Sequence, residues 1–146
     1  MMLTQNKKYI PLIFSCLFLF LLSCKQENTE QQIEYLNGYW EIEEVTLPGG
    51  ETKSYSINML VDFIELRDGK GFRKKVAPQL DGSFQITEDA ENIEIKVENN
   101  QVVLYYSTPF HNWKETVVKA NENELILKNE EELVYTYKRF ESLNLE

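Results

Sequence analysis

The sequence has few of the residues on which catalytic and metal-binding sites most often depend. Its 146 residues include two cysteines, Cys16 and Cys24, and one histidine, His111. Both cysteines lie within the first 24 residues, so the rest of the chain can form no disulfide, thiolate metal site or cysteine nucleophile. The usual nucleophile–base pairs are reduced to a serine or threonine with His111. We therefore expect that the protein is not an enzyme and holds no metal and no cofactor.

A hydrophobic run long enough to cross a membrane as a helix is also missing. The longest apolar stretch, residues 10–22, is interrupted at three positions, and its 13 residues at about 1.5 Å per residue reach only about 20 Å. The hydrocarbon core of a bilayer is about 30 Å thick. Because Lys7 and Lys8 precede the stretch and a small residue follows it, this layout is typical of a secretory signal.

The end of this leader, LLSC at residues 21–24, resembles the lipobox of bacterial lipoproteins. The resemblance implies that residues 1–23 are a signal peptide and that Cys24 becomes an acylated first residue, which two or more acyl chains anchor stably. We expect a lipid-anchored protein of the cell envelope, on the periplasmic or the outer face of the outer membrane. Residues 24–35 are predicted to be the lipidated cysteine and a flexible tether, because the segment is polar and lacks apolar periodicity.

Basic residues are scarce relative to acidic ones. The chain carries 15 lysines and arginines against 24 aspartates and glutamates, a net charge of −9. Loss of the leader removes Lys7 and Lys8 and leaves 13 basic residues against 24 acidic ones, a net charge of −11. Such a charge repels phosphate backbones and anionic lipid. We therefore expect no nucleic-acid partner and no membrane contact beyond the acyl chains.

No segment longer than one turn has helical periodicity, and residues 36–146 are predicted to form one domain of short β-strands. The clearest strand is residues 92–98, where three apolar residues alternate with charged ones. Asn99 and Asn100 follow, and asparagine tolerates the positive φ of a type I′ turn. A two-residue loop there pairs Val97 with Val102, Ile95 with Leu104 and Ile93 with Tyr106.

A second hairpin is predicted near the end of the chain, where leucines and tyrosines alternate with polar residues. A three-residue loop at residues 129–131 pairs Leu127 with Leu133 and Leu125 with Tyr135. It also places Lys128 opposite Glu132, which is a favourable cross-strand charge pair.

The first strand, residues 39–47, carries a change of phase. Trp40 and Ile42 share one face, whereas Val45 and Leu47 share the other. One extra residue near residues 43–44 brings all four to the same side, so we expect a β-bulge there, a device that barrels use to bend a strand.

Short strands, tight turns and the lack of crossover helices predict an all-β, antiparallel up-and-down meander. Without disulfides or covering helices, closure into a small barrel of eight or nine strands is the simplest way to remove free sheet edges. The count depends on whether residues 83–87 form a separate strand. An even number is needed for the last strand to run antiparallel to the first.

Gly38-Tyr39-Trp40 resembles the Gly-x-Trp signature of lipocalins and lipocalin-like domains. In that family the tryptophan plugs the closed end of the barrel, and an arginine near the end of the last strand packs across it. Arg139 matches that position. The resemblance implies a lipocalin-like barrel closed at one end by Gly38, Trp40 and Arg139.

Two functions follow, and the sequence leaves both open. The first is binding of a small apolar ligand inside the barrel, with a wall made of Ile93, Ile95, Val97, Leu104, Tyr106, Tyr135 and Tyr137. The second is a filled barrel that serves as a non-enzymatic envelope interaction protein, such as an accessory subunit or inhibitor. It would contact its partner through loop residues Phe110, His111 and Trp113.

Overall fold

A computed structural model describes residues 28–141, and within them the fold is an antiparallel sheet that closes on itself. The elements of this part of the chain are α1 (Thr29–Leu36), β1 (Gly38–Thr46), β2 (Thr52–Ser54), β3 (Val61–Arg67), β4 (Lys70–Pro78), β5 (Phe84–Glu98), β6 (Gln101–Ser107), β7 (Asn112–Ala120), β8 (Glu124–Asn129) and β9 (Val134–Arg139). Strands β3 to β9 are neighbours in chain order, and β9 pairs with β1. The expected all-β up-and-down barrel is confirmed.

Strands β2 and β3 share one position in the barrel wall. β1 pairs with β9 along one edge over residues 40–46. Along its other edge β1 pairs with β3 at residues 38–40 and with β2 at residues 44–46. The two short strands therefore lie end to end, and the wall is eight strands around. This even number keeps β9 antiparallel to β1. The candidate separate strand at residues 83–87 is not separate, because β5 begins at Phe84 and includes the rest of that segment.

The predicted register of the β5–β6 hairpin is confirmed. Val97 pairs with Val102, Ile95 with Leu104 and Ile93 with Tyr106, as predicted. Asn99 and Asn100 have φ angles of 50° and 63°. Both values lie in the left-handed region that a type I′ turn requires at its two central residues.

The predicted register of the β8–β9 hairpin is wrong by two residues. Leu127 pairs with Tyr135 instead of Leu133. The connection is longer than expected because the Asn129 side chain accepts hydrogen bonds from the N–H groups of Glu131 and Leu133, at 3.0 and 2.9 Å. Glu132 also takes a φ of 64°. A shift by an even number leaves the inward faces unchanged.

The β-bulge expected in β1 is confirmed. Ile42 pairs with Tyr137 and Glu44 pairs with Thr136, so Glu43 is the extra residue. After the bulge Val45 pairs with Tyr135. The bulge therefore lets both halves of β1 present apolar residues to the same side of the wall.

The tether predicted for residues 24–35 is wrong from Thr29 onward, because those residues begin α1; residues 24–27, including the lipidation candidate Cys24, lie outside the described residues. Asn28 caps the helix by accepting a hydrogen bond from the Glu30 N–H at 3.1 Å. Gln32 and Leu36, four residues apart, are buried on one helix face. The composition of this helix is polar, so its narrow apolar stripe was not recognised in the sequence.

The end of the barrel next to α1 is closed by Trp40 and Arg139. The indole is fully buried, and its Nε1 donates a hydrogen bond to the Leu36 carbonyl at 2.9 Å. The Arg139 guanidinium carbon lies 3.7 Å from the centroid of the Trp40 ring. Arg139 also donates to the carbonyls of Tyr35 and Asn37, at 3.0 and 2.6 Å. This is the Trp–Arg contact that the family resemblance implied.

Gly38 has no room for a side chain in this arrangement. Its φ is 119°, a conformation that L residues rarely adopt. A Cβ atom at this position would lie 2.6 Å from Nη1 of Arg139. Glycine is therefore required where the arginine crosses the start of β1.

Trp40 and Arg139 form a plug at the closed end, and the barrel interior next to this plug is apolar. The buried core joins α1 to most of the strands and consists of Leu36, Trp40, Ile64, Ile93, Val102, Leu104, Tyr106, Val117, Ala120, Leu125, Leu127 and Tyr137. A smaller aromatic cluster lies on the outside of the wall, where Phe84 stacks on Tyr39 with ring centroids 4.3 Å apart. Tyr39 also stacks on Phe63 at 4.7 Å. The start of β5 thus folds across the outer face of β1 and β3.

Candidate functional site

The barrel is open at the end opposite α1, and a cavity of about 580 Å³ lies in this mouth. The loops that precede β7 and β9 form part of its rim. Its wall combines one aliphatic side chain with aromatic, charged and amide side chains: Ile42, Arg73, Lys75, His111, Asn112, Trp113, Lys114, Glu115, Asn129, Glu130, Glu131, Tyr135 and Tyr137. A cavity of this size accommodates a small organic molecule.

Arg73 is the central charged group of the cavity floor. Its Nε lies 2.5 Å from Oε2 of Glu91, and its Nη1 lies 3.3 Å from Oε2 of Glu115. Nη1 also donates to the Tyr106 hydroxyl at 3.4 Å. The Arg73 and Glu115 side chains are only 11% and 7% exposed. Burial acts to lower the pKa of Arg73, whereas the charges of Tyr106, Glu115, Tyr137 and Asp62 act to raise it, and the pKa lies well above its ordinary value.

A second ion pair lies beside Arg73. The Nζ of Lys75 is 2.6 Å from Oδ1 of Asp62, which is buried in β3 directly across from Lys75 in β4. The lysine side chain is about half exposed and reaches the cavity, whereas the aspartate lies behind it. A buried carboxylate requires such compensation, because an unpaired charge in the interior is strongly destabilising.

Two tyrosines beside these pairs are held in the neutral form. Burial raises the pKa of Tyr106 well above its ordinary value; Arg73 opposes this shift and Glu115 adds to it. Burial also raises the pKa of Tyr137, with a further contribution from Asp62. Both hydroxyls therefore stay protonated at neutral pH and can donate as well as accept hydrogen bonds.

A stack of planar groups connects Arg73 to the rim. The Arg73 guanidinium carbon lies 4.4 Å from the centroid of the Tyr106 ring. The Tyr106 and Trp113 rings are nearly parallel, 6° apart, with centroids separated by 5.0 Å. Trp113 is in turn stacked with His111 at 5.6 Å and 12°. This stack fixes Trp113 as a rigid wall of the cavity.

The structure divides the predicted ligand-lining residues into three groups. Tyr135 and Tyr137 line the cavity. The others that point inward, Ile93, Leu104 and Tyr106, are buried in the core, and Ile95 packs against it. The prediction for Val97 is wrong, because its side chain is 53% exposed beside the Asn99-Asn100 turn. The floor of the cavity therefore lies closer to the open end of the barrel than the sequence pattern indicated.

The predicted partner-loop residues are also separated by the structure. Phe110 is 96% exposed at the tip of the loop before β7, and His111 is exposed next to it. Trp113, in contrast, is the second residue of β7 and stacks on buried Tyr106. The assignment of Trp113 to a partner-contact loop is therefore wrong, because the strand begins at Asn112 and turns the indole to the interior.

The charged cluster of Arg73, Lys75 and Glu115 was not predicted from the sequence. One signal was available: Trp113, Glu115 and Val117 alternate, so the two apolar residues place Glu115 on the inward face. No comparable signal marks Arg73, which is the second of four consecutive residues that are aromatic or basic.

The described part of the chain, residues 28–141, contains no group of three or more histidine, cysteine, aspartate or glutamate side chains placed to hold a metal ion. No helix in that range is long and apolar enough to span a membrane. A broader depression of about 710 Å³ lies next to the cavity, on the side of Tyr105, Lys114 and Glu130, and the predicted ligand-lining residues Ile93 and Tyr106 are part of its wall.

The chain is similar to one protein family and, at low sequence identity, to two solved structures. A family model described as a lipocalin-like domain matches residues 36–127. A lipocalin-like protein from Bacteroides uniformis ATCC 8492 superposes with a TM-score of 0.46 and 11% identity, covering 72% of this chain and 98% of that one. An uncharacterised protein from Bacteroides eggerthii DSM 20697 superposes with a TM-score of 0.45 and 11% identity, covering 71% of this chain and 98% of that one. No curated protein matches the chain.

Proposed function

Because the chain belongs to the lipocalin-like domain family, we propose that it is a lipid-anchored envelope protein that binds a small organic ligand in the mouth of its barrel. The observation that carries the proposal is the cavity of about 580 Å³ at the open end, with Trp113, Tyr135 and Tyr137 in its wall. Aromatic walls with a few fixed polar groups are characteristic of ligand-binding pockets. The protein acts by binding and performs no catalysis.

The position of α1 supports an orientation for the anchored protein. The helix starts at Thr29 and packs on the closed end of the barrel. Thr29 follows Cys24 by five positions, and five extended residues reach at most about 18 Å. Acyl chains on Cys24 therefore hold the closed end near the membrane and direct the mouth toward the aqueous compartment. The ligand then enters from solution on that side.

The anchor is tested by changing Cys24 to alanine. We expect an unprocessed precursor that incorporates no radiolabelled fatty acid, because the lipobox cysteine is the acylation site. The wild-type chain, labelled in parallel, is expected to carry label and to fractionate with the outer membrane. Normal labelling of the variant, or wild-type protein that is not labelled, would contradict the anchor.

The cavity is tested by filling it. Ile42 lines the cavity, and Ile42→Trp inserts an indole there; Val118→Trp is the matched control on an exposed position of β7. The anchored proteins are extracted from cells into polymer-bounded lipid discs, and bound small molecules are identified by mass spectrometry. We expect a compound that copurifies with wild-type and Val118→Trp protein and is depleted at least fivefold in Ile42→Trp. Equal small-molecule content in all three would contradict binding in the mouth.

A second candidate function is contact with an envelope protein through the loop before β7. The specific observation is Phe110, whose side chain is 96% exposed although it is large and apolar. Phe110→Ser leaves the cavity wall intact, since Phe110 is not part of it. Crosslinking in cells that yields an adduct with wild-type protein but not with Phe110→Ser would favour this function.

A further inference from the structure

The cations of the cavity wall are already neutralised by carboxylates. Arg73 lies between Glu91 and Glu115. The Nζ of Lys114 lies 3.9 Å from Oε1 of Glu130. Lys75 is paired in the same way with buried Asp62. An anionic ligand would therefore have to displace a carboxylate before it could form an ion pair with any of these three cations.

The carboxylates, in contrast, outnumber the cations. Five of them contact the wall or its paired cations: Asp62, Glu91, Glu115, Glu130 and Glu131. Among the described residues, Glu131 on the rim has no ion-pair partner. With three cations against five carboxylates, the site carries an excess of negative charge. The whole chain has the same sign, with a net charge of −9, and this field attracts cations and repels anions.

The aromatic wall has the same preference. The indole of Trp113 is already stacked against Tyr106 and His111, so the rings that can offer a face to a ligand are those of Tyr135 and Tyr137, on β9. The faces of phenol rings are electron-rich and attract an organic ammonium group. The Tyr137 hydroxyl stays neutral, so it can turn its oxygen toward a cation.

We propose that the ligand of this cavity is an organic cation, with an ammonium group on an aromatic or apolar body. The ammonium group lies against the rings of Tyr135 and Tyr137 near Glu115 and Glu131, and the body fills the remaining volume. The proposal rests on the proposed binding function and specifies the charge of the ligand.

Three water-soluble probes with a shared aromatic body separate charge from shape: phenethylammonium, phenethyl alcohol and phenylacetate. Each is titrated calorimetrically into the full chain in phosphatidylcholine nanodiscs, with empty nanodiscs as blank. We expect phenethylammonium to bind about tenfold more tightly than the neutral alcohol and phenylacetate to bind most weakly, because a like charge at such a site is unfavourable. Affinity of the ammonium probe alone is expected to fall with added salt.

The rim carboxylate provides a variant that leaves the core intact. Glu131→Gln removes the unpaired rim charge, and Glu132→Gln is the matched control because Glu132 is exposed, adjacent and outside the cavity wall. We expect Glu131→Gln to weaken phenethylammonium about threefold, with phenethyl alcohol unchanged, and Glu132→Gln to change neither, as for an exposed interaction of modest strength.

The outcomes distinguish the two proposals. Equal binding of the three probes, or tightest binding of phenylacetate, overturns the cation assignment and leaves ligand binding standing. Heat that is unchanged in Ile42→Trp protein overturns the placement in the cavity. The absence of binding by all three probes overturns both the cation assignment and the binding function for ligands of this size.

Discussion

The two ends of this barrel use the same strands for opposite purposes. At the closed end, α1, Trp40 and Arg139 leave no space, and the neighbouring interior is apolar. At the open end the same wall encloses about 580 Å³ and holds Arg73 and Glu115 in a buried ion pair. Alternate residues of a strand face inward along its whole length, so one strand can contribute an apolar residue near the closed end and a glutamate near the open end.

This difference indicates how the fold separates stability from binding. Close packing of apolar groups at the plug contributes most of the free energy of unfolding per residue. Buried ion pairs contribute less, because desolvation offsets much of their attraction, but they fix the position of charge in the mouth. The closed end can therefore keep the barrel folded while the open end retains space and polar groups.

The strongest test of this comparison is the removal of each tryptophan. We expect Trp40→Ala to reduce the free energy of unfolding by about 3–5 kcal/mol, the range for a fully buried aromatic residue. Trp113→Ala, at a half-buried position in the mouth, is expected to cost only about 1–2 kcal/mol. Urea unfolding followed by circular dichroism measures both. Equal losses would show that the two ends contribute equally to stability.

The next effect concerns the charged floor of the mouth. Glu115→Ala leaves the buried Arg73 with Glu91 as its remaining ion-pair partner, and we expect a loss of about 3 kcal/mol in the free energy of unfolding. Arg73→Met in the same background is expected to recover part of this loss, because it removes the undercompensated charge. Glu131→Ala on the rim serves as the control and should change stability by less than about 0.5 kcal/mol. A double variant less stable than Glu115→Ala would contradict this account.

A glycine substitution tests the plug with a smaller change. Gly38→Ala places a Cβ atom 2.6 Å from Nη1 of Arg139 at a φ of 119°, and the expected cost is about 1–3 kcal/mol. Gly49→Ala is the matched control, since a Cβ atom there would have no neighbour within 4 Å. Thermal melting of the three proteins gives the comparison. Equal melting temperatures would mean that Arg139 moves aside at little cost.

The smallest effect is a dependence on alkaline pH. Tyr106 and Tyr137 have raised pKa values when folded, so above pH of about 10 the unfolded chain releases protons that the folded chain retains. Stability contributed by these groups is complete below that pH and falls by about 1.4 kcal/mol per pH unit per tyrosine above it. Tyr137→Phe is expected to reduce the pH dependence of the free energy of unfolding by about 1.4 kcal/mol per pH unit, as measured by urea unfolding between pH 9 and 11. An unchanged slope would contradict the assignment to Tyr137.

Local signals in the sequence were sufficient where a turn and an apolar alternation agreed. Asn99-Asn100 and its flanking valines specified one register, and the structure has that register. At the β8–β9 connection the alternation was equally clear, but the loop length depends on how the Asn129 side chain caps the turn. The register error at this connection was two residues, an even number, so the inward faces were still assigned correctly.

The site was less predictable than the wall. Tyr135 and Tyr137 were expected to face a ligand and do line the cavity. Arg73 and Glu115 were not expected, because a charged residue within a strand is usually solvated, and its burial depends on a partner 42 positions away in sequence. The helix α1 was missed for a similar reason. It has few apolar residues, and their role is evident only from their packing against the closed end of the barrel.

The sequence by itself determined most of the strands, though not the short β2, together with the bulge near Glu43 and the closure of the meander, because period-two alternation and turn chemistry act between neighbouring residues. Only the tertiary structure decided where the barrel is filled and where it is hollow. That outcome depends on how side chains from eight strands and one helix share a common volume, with Arg73 and Glu115 meeting across it. Packing of this kind is a property of all the strands together, and no single segment encodes it.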